Sequence, residues 1–275
     1  MDIRLIATDM DGTLLDDEKN VSERNQRALK AASEKGILVV PATGRMFDML
    51  PEAVVSLPFV RYAIVSNGSL VKDIRTGETI FRAEIPCGEA VRICRQLKSY
   101  GTMFDGCIDG QAYMEQGYLD RLGDYLIGPR RFVDPWKALR KSVEDLPAFI
   151  EEKGRDVQKL QIMFRDMELR RRAMREIQEN FPDVMVTSSV SNNLEINAGA
   201  ANKGNALRQL CRFLGLPMEQ TLAFGDGSND VTMLSMAGVG VAMGNACSEA
   251  KAAADRITGT NKENGFASFL EKYVL

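Results

Sequence analysis

Ile3-Arg4-Leu5-Ile6-Ala7-Thr8-Asp9-Met10-Asp11-Gly12-Thr13 opens the chain with a short, mostly apolar run of strand length that stops on two aspartates and a glycine. In an open α/β sheet, ligands gather at the carboxyl ends of the strands, and Asp9 and Asp11 sit at one. Once the chain leaves its pleat, residues two apart can both approach one ligand, and Gly12 lets the backbone turn tightly there. Carboxylates this close repel, and a divalent cation best offsets that repulsion. An ordinary acidic turn after a strand accounts equally well for these residues taken alone.

Working outward, the pattern predicts alternating strands and helices. Ser22 is placed to cap a helix that carries Ala28, Leu29 and Ala32, with Gly36 at its end. Ile37 to Ala42 reads as a second, near-continuously apolar strand, as buried parallel strands do. A helix to about Ser56 and a third strand, Tyr62 to Ser66, follow. Two strand-helix-strand units with short loops indicate a doubly wound parallel sheet. Past Gly68 the rhythm changes to a hairpin around Arg75-Thr76-Gly77-Glu78, then to mixed short strands and helices. Alternation resumes near Leu194. The expected architecture is α/β: a Rossmann-like doubly wound parallel core, residues 1–83 and 192–275, interrupted by an inserted α+β cap, residues 84–191. Arg170-Arg171-Arg172 falls on a predicted cap helix and reads as a solvated face.

Composition narrows the chemistry. The 275 residues are 45% hydrophobic, enough for a buried core. Thirty-five basic against 38 acidic side chains leave a net charge of −3, without the basic excess that nucleic-acid binding needs. There is no histidine, which excludes Ser-His-Asp and Cys-His catalysis, HExxH zinc sites and imidazole acid-base chemistry. Cys87, Cys94, Cys107, Cys211 and Cys247 form no CxxC pair and read as reduced thiols. No apolar run approaches the ~18 residues of a membrane span. A cytoplasmic protein with neither nucleic-acid nor membrane partner is expected. Any catalysis must run on carboxylates, lysine, hydroxyls, thiols or a metal held by oxygen.

A second acidic cluster favours the metal over the bland acidic turn. Gly225-Asp226-Gly227-Ser228-Asn229-Asp230 follows the apolar run Thr221 to Phe224, so Asp226 and Asp230 again lie at a strand's carboxyl end. Together with Asp9 and Asp11 they suit an oxygen-ligand shell for Mg²⁺. Two further strand ends suit an anion. Thr43-Gly44-Arg45 offers a hydroxyl and backbone N–H groups, and Ser66-Asn67-Gly68 ends the third strand. Lys203, before Gly204 at a predicted helix start, can balance clustered carboxylate and phosphate charge.

These segments, in this order and at these strand ends, resemble the haloacid dehalogenase-like superfamily of phosphohydrolases, and especially its Cof-type sugar-phosphatase branch. The family's DxDGT motif matches Asp9, Asp11 and Thr13; its Thr or Ser after strand two matches Thr43; its lysine matches Lys203; its GDxxND motif matches Asp226, Asn229 and Asp230. Asn67-Gly68 and Gly244-Asn245-Ala246 are also typical of the branch, whereas Asn202 and Ser69 depart from it without touching a motif residue.

The resemblance implies hydrolysis of small phosphate monoesters, sugar phosphates above all. Asp9 is then the nucleophile and Asp11 the acid-base residue. Mg²⁺ would be held by Asp9, the Asp11 carbonyl and Asp226, with Asp230 completing or orienting the shell. Thr43, Gly44, Arg45, Asn67, Lys203 and Asn229 would hold the phosphate or substrate. Asp11 is expected to carry a proton near neutrality when phosphate is bound. A phosphomutase with the same nucleophile is the rival among enzymes. A phospho-aspartate receiver domain is the rival from another class; length, cap and Asp11 weigh against it.

Overall fold

The computed structural model describes residues 2–125, 133–188 and 190–275. Its first strands are β1 (Leu5–Thr8), β2 (Leu38–Pro41), β3 (Tyr62–Val65), β4 (Leu70–Asp73) and β5 (Thr79–Arg82). Next come β6 (Phe104–Ile108), β7 (Gln111–Glu115), β8 (Arg140–Val143), β9 (Lys159–Met163), β10 (Val184–Thr187) and β11 (Asn193–Ala198). The chain closes with β12 (Thr221–Gly225), β13 (Val239–Ala242) and β14 (Arg256–Ile257). Two compact units result, Met1–Arg82 with Ala201–Leu275, and Ala83–Ala200.

The first unit holds a parallel sheet in the order β14-β13-β12-β1-β2. Single parallel bridges, Val39 with Val60 and Ala42 with Ile64, lead on toward β3, which starts the antiparallel set β3-β4-β5. β1 and β12 are buried throughout because helices cover a parallel sheet, which explains their lack of polar alternation. Ser22 caps helix Glu23–Glu34 by accepting from the Asn25 amide, and Gly36 follows at φ +78°. That helix packs on the C-terminal helix Gly265–Tyr273. Phe224 of β12 meets Phe266 and Phe269 of the C-terminal helix at ring distances of 4.6 and 5.5 Å. Each such buried ring contributes about 2–3 kcal/mol through area removed from water. In place of one helix ending near Ser56 there are two single turns, Phe47–Met49 and Glu52–Val55, separated by Pro51.

The second unit is a six-stranded sheet in the order β10-β11-β9-β6-β7-β8. Every pairing is antiparallel except β7 with β8. Phe104, Leu160, Ile162, Leu194 and Ile196 share one apolar cluster with Ile93 and Leu97 of helix Cys87–Ser99 and Ile177 of helix Met167–Asn180. Residues alternating with these strand positions are polar yet buried: Asp105, Lys159, Gln161, Asn193, Glu195 and Asn197.

Two expectations are corrected here. The boundary at 191/192 is too early, because β11 pairs antiparallel with both β9 and β10 and belongs to the second unit. The Arg170-Arg171-Arg172 run is not uniformly solvated, since Arg170 is half-buried and its Nε donates to the Asn193 carbonyl at 3.0 Å. Among the described residues, no helix is long and apolar enough to cross a membrane.

Candidate active site

All ten residues expected to act in catalysis, phosphate binding or metal binding lie in the first unit, at the carboxyl ends of β1, β2, β3 and β12 or at the start of helix Lys203–Leu214. β1 lies between β2 and β12, so connections leave it toward opposite sides, the arrangement that opens a crevice at strand ends.

Lys203 is the hub. Asn202 caps its helix by accepting from the Asn205 amide at 2.8 Å, which fixes Lys203 as the first helical residue. Its side chain is fully buried, and Nζ donates to Asp9 Oδ1 and to Asp230 Oδ1, each at 2.6 Å. Close packing behind the lysine depends on Gly68. At φ +95°, a Cβ there would lie 2.4 Å from the Asn202 carbonyl oxygen and 2.9 Å from the Lys203 nitrogen.

Asp226 is the third carboxylate, and one oxygen from each of Asp9, Asp226 and Asp230 lies within 4.8 Å of the others. The Thr13 hydroxyl donates to Asp226 Oδ1 at 2.6 Å. Gly12, at φ +85°, is pressed so close that a Cβ would meet Asp226 Oδ2 at 2.4 Å. Asp230 Oδ2 accepts from the Asp226 and Gly227 amides, both at 2.9 Å. With Oδ1 on Lys203 and Oδ2 on two amides, Asp230 orients its neighbours as much as it offers a ligand.

Three carboxylates therefore face one ammonium. Burial pushes the Asp9 carboxyl well above its ordinary value, against the pull of Lys203 and with help from Asp230 and Asp226. Asp226 is pushed up to about 6, by burial first, with the Thr13 hydrogen bond opposing and Asp230 reinforcing. Burial lowers Lys203, but Asp230 and Asp9 outweigh it and hold the ammonium above its ordinary value. An oxygen-only donor set with this excess of negative charge fits a hard divalent cation.

Asp11 lies outside this trio and has cations of its own. Its Oδ2 accepts from Arg45 Nε at 2.8 Å and its Oδ1 from the Arg45 terminal nitrogen at 2.7 Å, while Lys19 Nζ reaches Oδ1 at 2.8 Å. Burial would raise this carboxyl, but the hydrogen bonds and charge of Arg45, then of Lys19, hold it down at about 2. Without phosphate, Asp11 is a carboxylate paired with two cations. Arg45, expected to hold phosphate, bonds Asp11 in this phosphate-free structure. Lys19 gave no signal in the sequence. It is an exposed lysine at φ +67°, and only the fold of the 16–21 turn aims it at Asp11.

The remaining residues form a polar rim. The Thr43 hydroxyl accepts from the Arg45 amide at 3.1 Å. Asn229 Nδ2 donates to Asn67 Oδ1 at 3.0 Å, and that oxygen lies where a Cβ on Gly44 would meet it at 2.8 Å. Asn67 itself has φ +56°, a left-handed position that asparagine tolerates. Thr43, Gly44, Asn67 and Asn229 are thus brought together.

Comparison with known proteins agrees with this geometry. The family model for haloacid dehalogenase-like hydrolases matches residues 6–270. The chain is 31% identical to the 5-amino-6-(5-phospho-D-ribitylamino)uracil phosphatase YcsE of Bacillus subtilis, over all of this chain and 97% of that protein. It is also 31% identical to phosphatase YwpJ of the same organism, covering 98% of this chain and 99% of that one. A solved haloacid dehalogenase-like hydrolase from B. subtilis superposes with a TM-score of 0.86 at 29% identity, covering 99% of this chain and 100% of the other. The chain belongs to the haloacid dehalogenase-like hydrolases, as a phosphatase of small phosphate esters.

Proposed function

We propose that this chain is a Mg²⁺-dependent phosphatase that cleaves sugar or polyol phosphate monoesters through an aspartyl-phosphate. The observation that carries this reading is the buried Lys203 ammonium shared between Asp9 and Asp230, with Asp226 alongside. Asp9 and Asp226, with the Asp11 carbonyl, would hold Mg²⁺, and Asp230 would orient the set. The ion would supply charge neutralisation for the transferring phosphoryl group. Lys203 fixes the Asp9 carboxylate in place and opposes the charge of the bound phosphate. Asp9 attacks phosphorus as the bond to the leaving alkoxide breaks, and Asp11 gives that oxygen a proton. Asp11 then takes a proton from the water that attacks the aspartyl-phosphate, which frees Asp9 and inorganic phosphate. To carry that proton, the Asp11 carboxylate must first leave Arg45. Thr43, Gly44, Asn67 and Asn229 cradle the phosphoryl oxygens, and Arg45 joins them once released.

The substrate class rests on the relatives. Three of them from B. subtilis are named as 5-amino-6-(5-phospho-D-ribitylamino)uracil phosphatases, whose phosphate ends a polyol chain. The second unit serves as the cap that selects the leaving group, a role that its buried polar sheet face supports. The proposed compartment is the cytoplasm, which suits five free thiols. A panel of phosphate monoesters, ranked by kcat/KM with Mg²⁺ and with EDTA, tests the proposal. Polyol and sugar phosphates should lead, and EDTA should abolish turnover. Asp9→Asn should stay folded and lose at least about 10⁴-fold in kcat. Retained turnover in that variant would remove Asp9 as nucleophile.

A further inference from the structure

The motif Gly244-Asn245-Ala246 lies after β13, and none of its residues belongs to the carboxylate cluster. Its contacts nonetheless reach both loops that carry the cluster. Asn245 Nδ2 donates to the Gly12 carbonyl at 2.8 Å, and its Oδ1 accepts from the Asn261 amide at 3.0 Å. Two residues on, the Cys247 amide donates to the Asp226 carbonyl at 2.9 Å, and just before, the Met243 amide donates to the Gly225 carbonyl at 3.0 Å. One five-residue segment is thus bonded by main chain to the Asp226 loop and by one side chain to the turn after Asp9 and Asp11.

The β1–β12 ladder sets the base of that turn, ending with the Asp9 amide on the Phe224 carbonyl at 2.9 Å, and beyond it the turn meets Asp226 at two points. The Thr13 hydroxyl joins them from one side, and Gly12 at φ +85° is pressed against the Asp226 carboxylate. The carbonyl that Asn245 grips belongs to Gly12, the residue directly after Asp11. Holding that carbonyl fixes the plane of the Gly12–Thr13 peptide; the Asp11 carbonyl lies one peptide back, across the φ and ψ of Gly12, which the close approach of Asp226 confines. The Asn261 amide fixes the Asn245 side chain in turn, by bonding its oxygen so that its nitrogen faces Gly12.

We infer that Asn245 is a positioning residue. Its amide holds the Asp11–Thr13 turn in register with Asp226, and so sets the spacing of the oxygens that receive the divalent cation. The inference rests on the magnesium reading above. Residues behind a ligand set commonly govern metal affinity about 10–100-fold without touching the metal. Asn245 is exposed and contributes little to the core, so its loss should register in the metal and not in the fold.

Direct calorimetric titration of the full-length protein with Mg²⁺ tests this, alongside thermal melting in EDTA. Asn245→Ala should weaken Mg²⁺ binding at least about tenfold while its melting in EDTA stays near wild type. Asn245→Asp keeps an oxygen for the Asn261 amide but loses the donor to Gly12, and should weaken binding as much. A control is Asn25→Ala. Asn25 is buried, donates to the Leu14 carbonyl and accepts from the Ala267 amide, so it ties the same stretch of chain to the C-terminal helix away from the carboxylates. That variant should melt lower yet bind Mg²⁺ as wild type does. Wild-type affinity in Asn245→Ala, or an equal loss in Asn25→Ala, would overturn the positioning role while leaving the magnesium reading intact. Absence of Mg²⁺ binding by the wild type would overturn both.

Discussion

Each unit of the molecule buries charge, but only one balances it. On the sheet of the second unit, Arg140 pairs with Asp105 at 2.7 Å and Lys159 with Glu195 at 3.1 Å, so each of these buried carboxylates has a cation bonded to it. At the strand ends of the first unit, Asp9 and Asp230 share the ammonium of Lys203, and Asp226 lies beside them with no cation bonded to it among the described residues. A matched pair offsets its own desolvation and can be structural. An unmatched cluster is stable only if something outside the chain completes it, and here the missing charge is positive. Charge imbalance, more than burial, therefore separates the candidate site from the paired charges of the second unit.

The sharpest way to break the comparison is to remove the cation from each region. Lys203→Met leaves Asp9 and Asp230 buried with no ammonium between them. Uncompensated buried charge of this kind costs about 3–5 kcal/mol, and turnover should vanish. In the balanced region, Arg140→Met alone should cost a similar amount by stranding Asp105. The paired replacement Arg140→Met with Asp105→Leu should recover most of that loss, since a matched buried pair exchanged for apolar side chains is often neutral. Chemical denaturation of the three variants checks this. A paired replacement as unstable as the single one would mean that the second unit's charges also answer to something beyond each other.

Proton competition sharpens the contrast at smaller magnitude. Asp226 sits at about 6 and Asp9 above its ordinary value, so a divalent cation must displace protons as pH falls. Between pH 7.5 and 5.5, protonation of Asp226 alone should weaken Mg²⁺ binding about fourfold. The sign reverses without metal. A raised carboxyl binds its proton more tightly when folded, so its contribution to stability is present at low pH and fades as pH climbs toward about 6. Titrations at the two pH values, with melting in EDTA as the counterpart, read both. Affinity that ignores pH would show that Asp226 is ionised before the metal arrives.

The same contrast explains what the sequence made legible. Asp9, Asp11, Asp226 and their glycines stand directly after apolar runs, so their position at strand ends follows from local pattern alone. The membership of β11 does not. Asn193-Leu194-Glu195-Ile196-Asn197 alternates strictly, which is the mark of an antiparallel strand and differs from the unbroken apolar β1 and β12. That signal was available and pointed to the second unit. The strands β8 and β14 are short, and pairing across the sheet defines them more than their own residues do. Least legible were contacts set by tertiary approach. Nothing near Lys19 in sequence indicates that it meets Asp11, and nothing near Asn245 indicates Gly12, 233 positions away. The pairing of Asp11 with Arg45 was illegible for the same reason, because the two are 34 residues apart in sequence.

The smallest effect gives the finest test. Asn202 and Asp166 are both helix N-caps, the first at Lys203–Leu214 and the second at Met167–Asn180. Asn202 accepts from the Asn205 amide, and Asp166 from the Glu168 and Leu169 amides. Replacing either with alanine should cost about 1 kcal/mol, because each strands helix-start amides in the same way. Their catalytic consequences should differ. Loss of the Asn202 cap loosens the first helical residue, and that residue is the lysine gripping Asp9, so kcat should fall about tenfold. Loss of the Asp166 cap frays a helix that carries no member of the carboxylate cluster, and kcat should hold. Equal loss of stability with unequal loss of rate would tie Lys203's placement to its cap; equal rates would mean that its two carboxylates alone keep the ammonium in place.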